Sequence, residues 1–212
     1  MDFTSLKKTS TTSWGHVAEY VGELIKIVII ASAIILPIRL FVVQPFYVKG
    51  LSMYPTFDGN DYLLVDEISY HFRKPARGDV VVFAHNEGDR KYFIKRVVGL
   101  PGETVDVTDD AVTIFNIEHP DGILLDESEY TPLHGVSPGV RTTLQNDEYF
   151  VLGDNRPVSY DSRRFGPIKP SAIVGRVVLR GLPIDKFHFF LKPQYNTNIV
   201  TSGLSSAILS YK

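Results

Sequence analysis

Residues 92–102 read YFIKRVVGLPG, a strand-length run in which two basic side chains stand among apolar ones and Gly99, Pro101 and Gly102 end the pattern. Successive side chains of an extended chain point to opposite faces. Phe93, Lys95 and Val97 therefore share one face, and Ile94, Arg96 and Val98 the other. From Phe46 onward the same texture recurs: short apolar runs with period-two alternation, broken by Gly, Pro, Asn and Asp. That texture predicts a mainly β domain with minor helices. The expected strands are Phe46–Lys49, Tyr62–Val65, Asp79–Phe83, Tyr92–Val98, Thr104–Val107, Val112–Phe115, Glu148–Leu152 and Ile173–Leu179. Asp109-Asp110 predicts a tight hairpin between Thr104–Val107 and Val112–Phe115, although Asp-Asp is a poorer primed-turn pair than Asp-Gly.

Residues 116–147 are acidic and low in strand signal, and read as a small insertion on the rim of the β domain. Residues 193–212 form a polar, then mildly apolar tail. At the other end, Leu24–Val43 reads LIKIVIIASAIILPIRLFVV, almost wholly apolar apart from Lys26 and Arg39. Its uncharged centre, Ile27–Ile38, is shorter than the roughly 20 residues a spanning helix needs, which is the argument for a buried core helix instead. Lys26 and Arg39 lie near the two ends, where long stems carry charge to the headgroups, and this favours a transmembrane helix. A cleaved secretory leader fits less well: Glu19 and Glu23 precede the run and no small-residue cleavage site follows it cleanly. The expected division is a short cytoplasmic segment (1–23), an anchor (24–43), a β-rich domain (44–192, with 116–147 inserted) and the tail (193–212). Lys7, Lys8 and Lys26 against Arg39 and Lys49 bias the N-terminus toward the cytoplasm and the β domain toward the outside.

Composition narrows the chemistry. The 212 residues carry 22 Lys and Arg against 24 Asp and Glu, so no clustered basic face is signalled for nucleic acid. Cysteine is absent, which rules out disulfides, a thiol nucleophile and thiolate metal sites. The six histidines show neither an i, i+4 pair nor a HExxH pattern, and no metal is expected.

Three segments hold polar groups that strands and turns do not require: residues 49–56 (KGLSMYPT), 93–102 and 153–163 (GDNRPVSYDSR). Pro55 disfavours helical geometry before it, so Ser52 is expected on an extended, rigid loop with its hydroxyl presented. The window lacks the second glycine of G-x-S-x-G, and a lone serine after a glycine is most often a turn residue. A serine hydroxyl becomes a nucleophile only beside a base. Lys95 is the candidate: apolar neighbours on its face desolvate the ammonium and lower its pKa toward the range where a neutral amine exists. Without contact to a nucleophile, it is simply a surface lysine beside Arg96. In the third segment, Asp154, Arg156, Asp161 and Arg163 read either as a solvated loop with weak ion pairs or as a scaffold that aims Ser159 at the base.

Taken together and in order, these segments closely resemble the boxes of type I signal peptidases, from the anchor to about Leu179. Ser52–Thr56 (SMYPT) is similar to the nucleophile box, IKRVVGLPG to the base box, Gly153–Arg163 to the closing box, and Arg77–Phe83 (RGDVVVF) to the box between. The resemblance implies a signal-peptidase/LexA-like β-barrel with a small inserted subdomain. It implies Ser52 as nucleophile, Lys95 as general base and Ser159 as the hydroxyl that orients the lysine. Asp154 would pair with Arg96, and Asp161 with Arg163, as scaffold. Some members use a serine hydroxyl in the oxyanion hole where this chain has Gly50. The Ser52 backbone N–H, helped by a donor near Gly50, is expected to take that part. The implied substrate is a secreted preprotein whose signal peptide ends in an Ala-x-Ala type site, bound extended along a strand edge. Val48, Met53, Phe57 and Phe93 are the expected pocket walls. No cofactor is implied, the partners are signal peptides and membrane lipid, and the location is the cytoplasmic membrane with a single pass.

Three rivals remain. A self-cleaving repressor-type peptidase would need an N-terminal DNA-binding unit, for which the residues before the anchor are too few. A pilus or conjugation peptidase would differ mainly in substrate. A non-catalytic, membrane-tethered peptide-binding β domain would have no need of both Ser52 and Lys95.

Overall fold

The structure is a computed structural model that describes residues 13–41, 43–85, 91–109, 111–131, 139–190 and 198–199. The chain divides into two units that meet at Val42 and Val43. In the first, α1 spans Ser13–Phe41. Ile27, Val28, Ile29 and Ile30 cover a full turn and are 63, 56, 61 and 51% exposed, so its apolar surface runs all round instead of forming one stripe. Among the described residues no helix is long and apolar enough to cross a membrane.

The second unit is built from antiparallel strands: β1 (Val43–Tyr47), β2 (Tyr62–Asp66), β3 (Val80–His85), β4 (Lys91–Gly99), β5 (Thr104–Val107), β6 (Val112–Phe115), β7 (Ile123–Leu124), β8 (Val140–Thr143), β9 (Phe150–Leu152), β10 (Ile173–Leu182), β11 (His188–Phe189) and β12 (Asn198–Ile199). Short helices α2 (Ser69–Phe72) and α3 (Ser162–Phe165) are added to them. The larger sheet runs β1-β2-β10-β3-β4-β9, with β11 on β10; the smaller runs β12-β7-β6-β5-β8. The run Val80–Phe83 is buried on both faces: Val80 and Val82 pack with Leu63, Val65 and Val177, while Val81 and Phe83 pack with Val97 and Val151. An apolar run without alternation thus became a central strand. A third cluster joins Val98 and Leu152 to Val105, Ile114 and Leu144 of the smaller sheet's side. At Gly99 a Cβ would lie 2.4 Å from Val105 and 2.8 Å from Leu144, and only glycine permits this approach.

The expected strands are present with shifted ends. Phe46–Lys49 is replaced by Val43–Tyr47, because β1 is an edge strand that pairs only with β2 and so accepts Pro45. The hairpin is there: Val107 pairs with Val112, and Thr108 N–H donates to the Ala111 carbonyl at 2.9 Å. Residues 116–147 were read as poor in strand signal, yet they supply β7 and β8, which pair with β6 and β5. Two-residue and Thr-rich edge strands carry too little apolar alternation to be visible in sequence. Of the tail, Asn198–Ile199 pairs with β7, and 193–197 and 200–212 lie outside the described residues. The barrel is not closed by a ladder among the described residues: β1 and β9 are paired on one side only. Residues 91–95 of β4 are likewise paired only with β3, since β9 begins its pairing at Arg96.

Candidate active site

After β1 the chain turns at Gly50, whose φ of +89° is in the left-handed region that favours glycine. A succession of turns follows over residues 52–56, closed by Tyr54 N–H on the Leu51 carbonyl (3.1 Å) and Phe57 N–H on the Met53 carbonyl (2.8 Å). Ser52 therefore sits in a tight turn and not on an extended loop. Met53 and Phe57 are 1% and 0% exposed, and Phe57 lies 4.4 Å from the Phe190 ring centroid. These two side chains pack in the core with Leu63 and Val65, and neither is among the residues that line the neighbouring cleft. Between the unpaired edges of β1 and β4 opens a cleft of about 530 Å³, lined by Ser52, Lys95, Val48, Phe93, Leu63 and Val82. Two of the four expected wall residues thus line it, joined by Leu63 of β2, which lies outside the motifs, and by Val82 of β3, within the 77–83 stretch.

Lys95 is 2% exposed. Its Nζ lies 2.7 Å from Ser52 Oγ and 2.8 Å from the Ile94 carbonyl. Burial pushes its pKa down from the ordinary 10.5 to about 8, against the opposing pull of Asp161 and Asp154. As an ammonium, Lys95 donates to the serine; as a neutral amine it accepts the serine proton along the same line. The alternation predicted from the sequence places Arg96 on the opposite face. There it donates from Nε and Nη2 to both oxygens of Asp154 at 2.8 and 2.6 Å, with Tyr130 3.9 Å from its guanidinium.

The turn 153–156 bears directly on the serine. Asn155 N–H donates to the Ser52 carbonyl (3.1 Å) and Asn155 Nδ2 to the Leu51 carbonyl (3.0 Å). At Gly153 a Cβ would stand 2.5 Å from the Ser52 carbonyl oxygen and 2.2 Å from Ser159 Oγ, so the position has room only for hydrogen. Gly153 N–H donates to Asp161 (3.1 Å), and Arg163 grips that carboxylate through Nε and Nη2 at 2.8 and 2.9 Å. Thr56 Oγ1 donates to Asp154 at 2.5 Å, so the turn holding the serine is tied to the third segment at both ends. Both expected ion pairs are formed. The expected bond from Ser159 to the lysine is not: Ser159 is buried and its Oγ has no hydrogen-bond partner. Its hydroxyl is pressed against Gly153, and Lys95 Nζ bonds instead to Ser52 and Ile94.

Ser52 N–H donates to no described residue. Among the described residues no group of three or more His, Asp or Glu could hold a metal ion. The sequence reading gave no role to Thr56, Asn155, Glu127 or Tyr130, and no partner to Arg156. Thr56 and Asn155 lay inside quoted motifs, whereas nothing in the spacing points from Glu127 to a loop about thirty positions further on.

The family model "Signal peptidase, peptidase S26" matches residues 21–182. A signal peptidase I of Leptolyngbya laminosa is 39% identical over 173 residues, covering 77% of this chain and 81% of its own. A probable signal peptidase I-2 of Synechocystis is 36% identical over 173 residues (77% and 74%), and a signal peptidase IB of Staphylococcus aureus is 32% identical over 181 residues (80% and 93%).

Proposed function

Since the chain belongs to the signal peptidase family, peptidase S26, and is a serine peptidase of the signal peptidase I type that removes signal peptides, we propose that Ser52 and Lys95 perform the cleavage. The observation that carries this assignment is the 2.7 Å contact between Ser52 Oγ and an Nζ whose residue is 2% exposed. A dry lysine is neutral in a useful fraction near pH 8 and can take the serine proton as Oγ attacks a peptide carbonyl. The Ser52 N–H stabilises the developing oxyanion, with a backbone donor near Gly50 as its second contribution. Lys95 then returns the proton to the leaving amine, the C–N bond breaks, and an ester remains on Ser52. Water, deprotonated by Lys95, attacks the ester and releases the new carboxyl end and the free serine. Arg96, Asp154, Asp161 and Arg163 hold this geometry, and Ser159 is a buried hydroxyl beside it.

An extended substrate segment adds to the free edges of β1 and of residues 91–95, as peptides add to sheet edges generally. Val48, Phe93, Leu63 and Val82 leave shallow apolar space suited to the small residues of an Ala-x-Ala site. Leu24–Val43 is the anchor in this reading, the N-terminus being cytoplasmic and the β unit outside the cytoplasmic membrane. The apolar run continues to Val43, and the described part of α1 has apolar side chains exposed all round, which suits lipid. No cofactor takes part.

The test is cleavage of a labelled preprotein with an Ala-x-Ala site by the full chain in detergent. Wild type cuts after the second alanine, and folded Ser52→Ala and Lys95→Ala do not; variants that cut like wild type refute the assignment. No cleavage by any form would instead favour a peptide-binding β domain. The anchor is tested by detergent partition: a freely soluble intact chain refutes it.

A further inference from the structure

Beside the site lies a segment that the mechanism does not use. Leu125–Thr131 leaves the smaller sheet after β7, anchored by Leu125 in the core cluster and by its N–H on the Val112 carbonyl at 2.9 Å. It then folds on itself, Tyr130 and Thr131 N–H both reaching the Glu127 carbonyl (3.1 and 2.9 Å) and Tyr130 Oη donating to Glu127 Oε1 (2.9 Å). Glu127 and Tyr130 are 6 and 4% exposed. An acidic residue this deep requires a partner. Its partner is Arg156, which donates from Nη1 and Nη2 at 2.8 and 2.6 Å.

The far side of that arginine faces the catalytic turn. Arg156 Nε donates to the Gly153 carbonyl (3.0 Å), and the Arg156 carbonyl accepts from Arg163 Nη2 (2.7 Å). Gly153 presses on the Ser52 carbonyl, and Asn155 bonds to it. In parallel, the Tyr130 ring covers Arg96, the partner of Asp154. One segment thus grips two of the arginines that hold residues 153–156, Arg156 by charge and Arg96 by a π face.

We infer that Glu127 and Tyr130 are positioning residues for the Ser52–Lys95 pair, coupling the smaller sheet to the geometry and dryness of the site. The inference rests on the Ser52–Lys95 assignment. Removing either grip lets the turn 153–156 and the Ser52 carbonyl drift, lengthens the Ser52–Lys95 contact and admits water to the amine. Displacements of about 1 Å at a reacting pair cost on the order of a hundred-fold in rate.

The experiment measures kcat, KM and the pH midpoint of kcat/KM on a labelled preprotein. Each rate is divided by the concentration of active sites, titrated with a serine-acylating inhibitor, so that misfolded molecules drop out. Glu127→Gln and Tyr130→Leu are each expected to lower kcat per titrated site by roughly ten-fold or more with KM within about two-fold, and to move the midpoint upward. Tyr130→Phe keeps the ring over Arg96 and should stay within a few-fold of wild type. If kcat per titrated site and the midpoint match wild type in both Glu127→Gln and Tyr130→Leu, the inference is overturned, however little folded protein they yield. Should Glu127→Gln fail to fold, Tyr130→Leu against Tyr130→Phe decides alone: equal values for those two overturn it. Wild-type activity together with an inert Ser52→Ala in the same series separates this outcome from failure of the dyad assignment.

Discussion

Replacing Lys95 by methionine keeps the length of the side chain and removes its charge, which should abolish cleavage while changing stability in a pH-dependent way. Holding the ammonium's pKa at about 8 instead of 10.5 costs the folded protein roughly 3 kcal/mol whenever the group is charged in both states, at about 1.4 kcal/mol per pH unit. Between those two values the unfolded chain binds more protons than the folded one, so wild-type stability rises with pH across that window; below about 8 the full cost is present and above about 10.5 it is gone. Methionine never bears this cost, but it forfeits the hydrogen bonds to Ser52 Oγ and the Ile94 carbonyl, about 1 kcal/mol each. The variant should therefore be more stable than wild type by about 1 kcal/mol at pH 7, and less stable by about 2 kcal/mol above pH 10.5. Urea unfolding of both full chains in a nonionic detergent, followed by circular dichroism at several pH values, measures the gap. A gap that stays constant from pH 7 to pH 10, within about 0.5 kcal/mol, would refute the claim that Lys95 is desolvated in the folded protein.

Wild-type kcat/KM should climb with pH through a midpoint near 8 and level off above it, because only the neutral amine accepts the serine proton; a pH-rate profile with its midpoint at the ordinary lysine value contradicts this. Gly153→Ala should lower kcat on the order of a hundred-fold with an unchanged circular dichroism spectrum, since its Cβ would meet the Ser52 carbonyl at 2.5 Å; wild-type turnover would show that the contact is slack. Asp154→Asn leaves Arg96 buried beside a neutral partner and should destabilise by about 3 kcal/mol in urea titrations, with a loss under 1 kcal/mol marking the pair as replaceable. Ser159→Ala should cost no more than a few-fold in kcat, because its hydroxyl makes no bond to Lys95; a loss approaching that of Lys95→Ala would mean that the bond forms during turnover.

Much of the site was legible because it depends on local chemistry. Period-two alternation at 92–98 put Lys95 and Arg96 on opposite faces, and the structure keeps them there, one on Ser52 and the other on Asp154. The hairpin 104–115 and the strand expected at Asp79–Phe83 were legible for the same reason: their strand signals lie within a few residues of one another. The resemblance of the motifs supplied the pairings Arg96–Asp154 and Arg163–Asp161, which alternation cannot give.

What sequence proximity misjudged was which buried side chains reach the cleft. Met53 and Phe57 are close to Ser52 along the chain but do not line it, whereas Leu63 and Val82, also buried but on other strands, do. Ser159 lies in the right motif yet makes no bond to the amine. The sequence by itself determined the mainly β texture, the apolar run near the N-terminus and which residue types could act as nucleophile and base. Only the tertiary structure decided that Ser52 touches a buried Lys95, that Gly153 has no room for a Cβ, and that Glu127 and Tyr130 reach the arginines behind the site. The reason is physical: alternation and turn chemistry act over a few residues, while desolvation, close approach and ion pairing depend on atoms brought together from strands far apart in the chain.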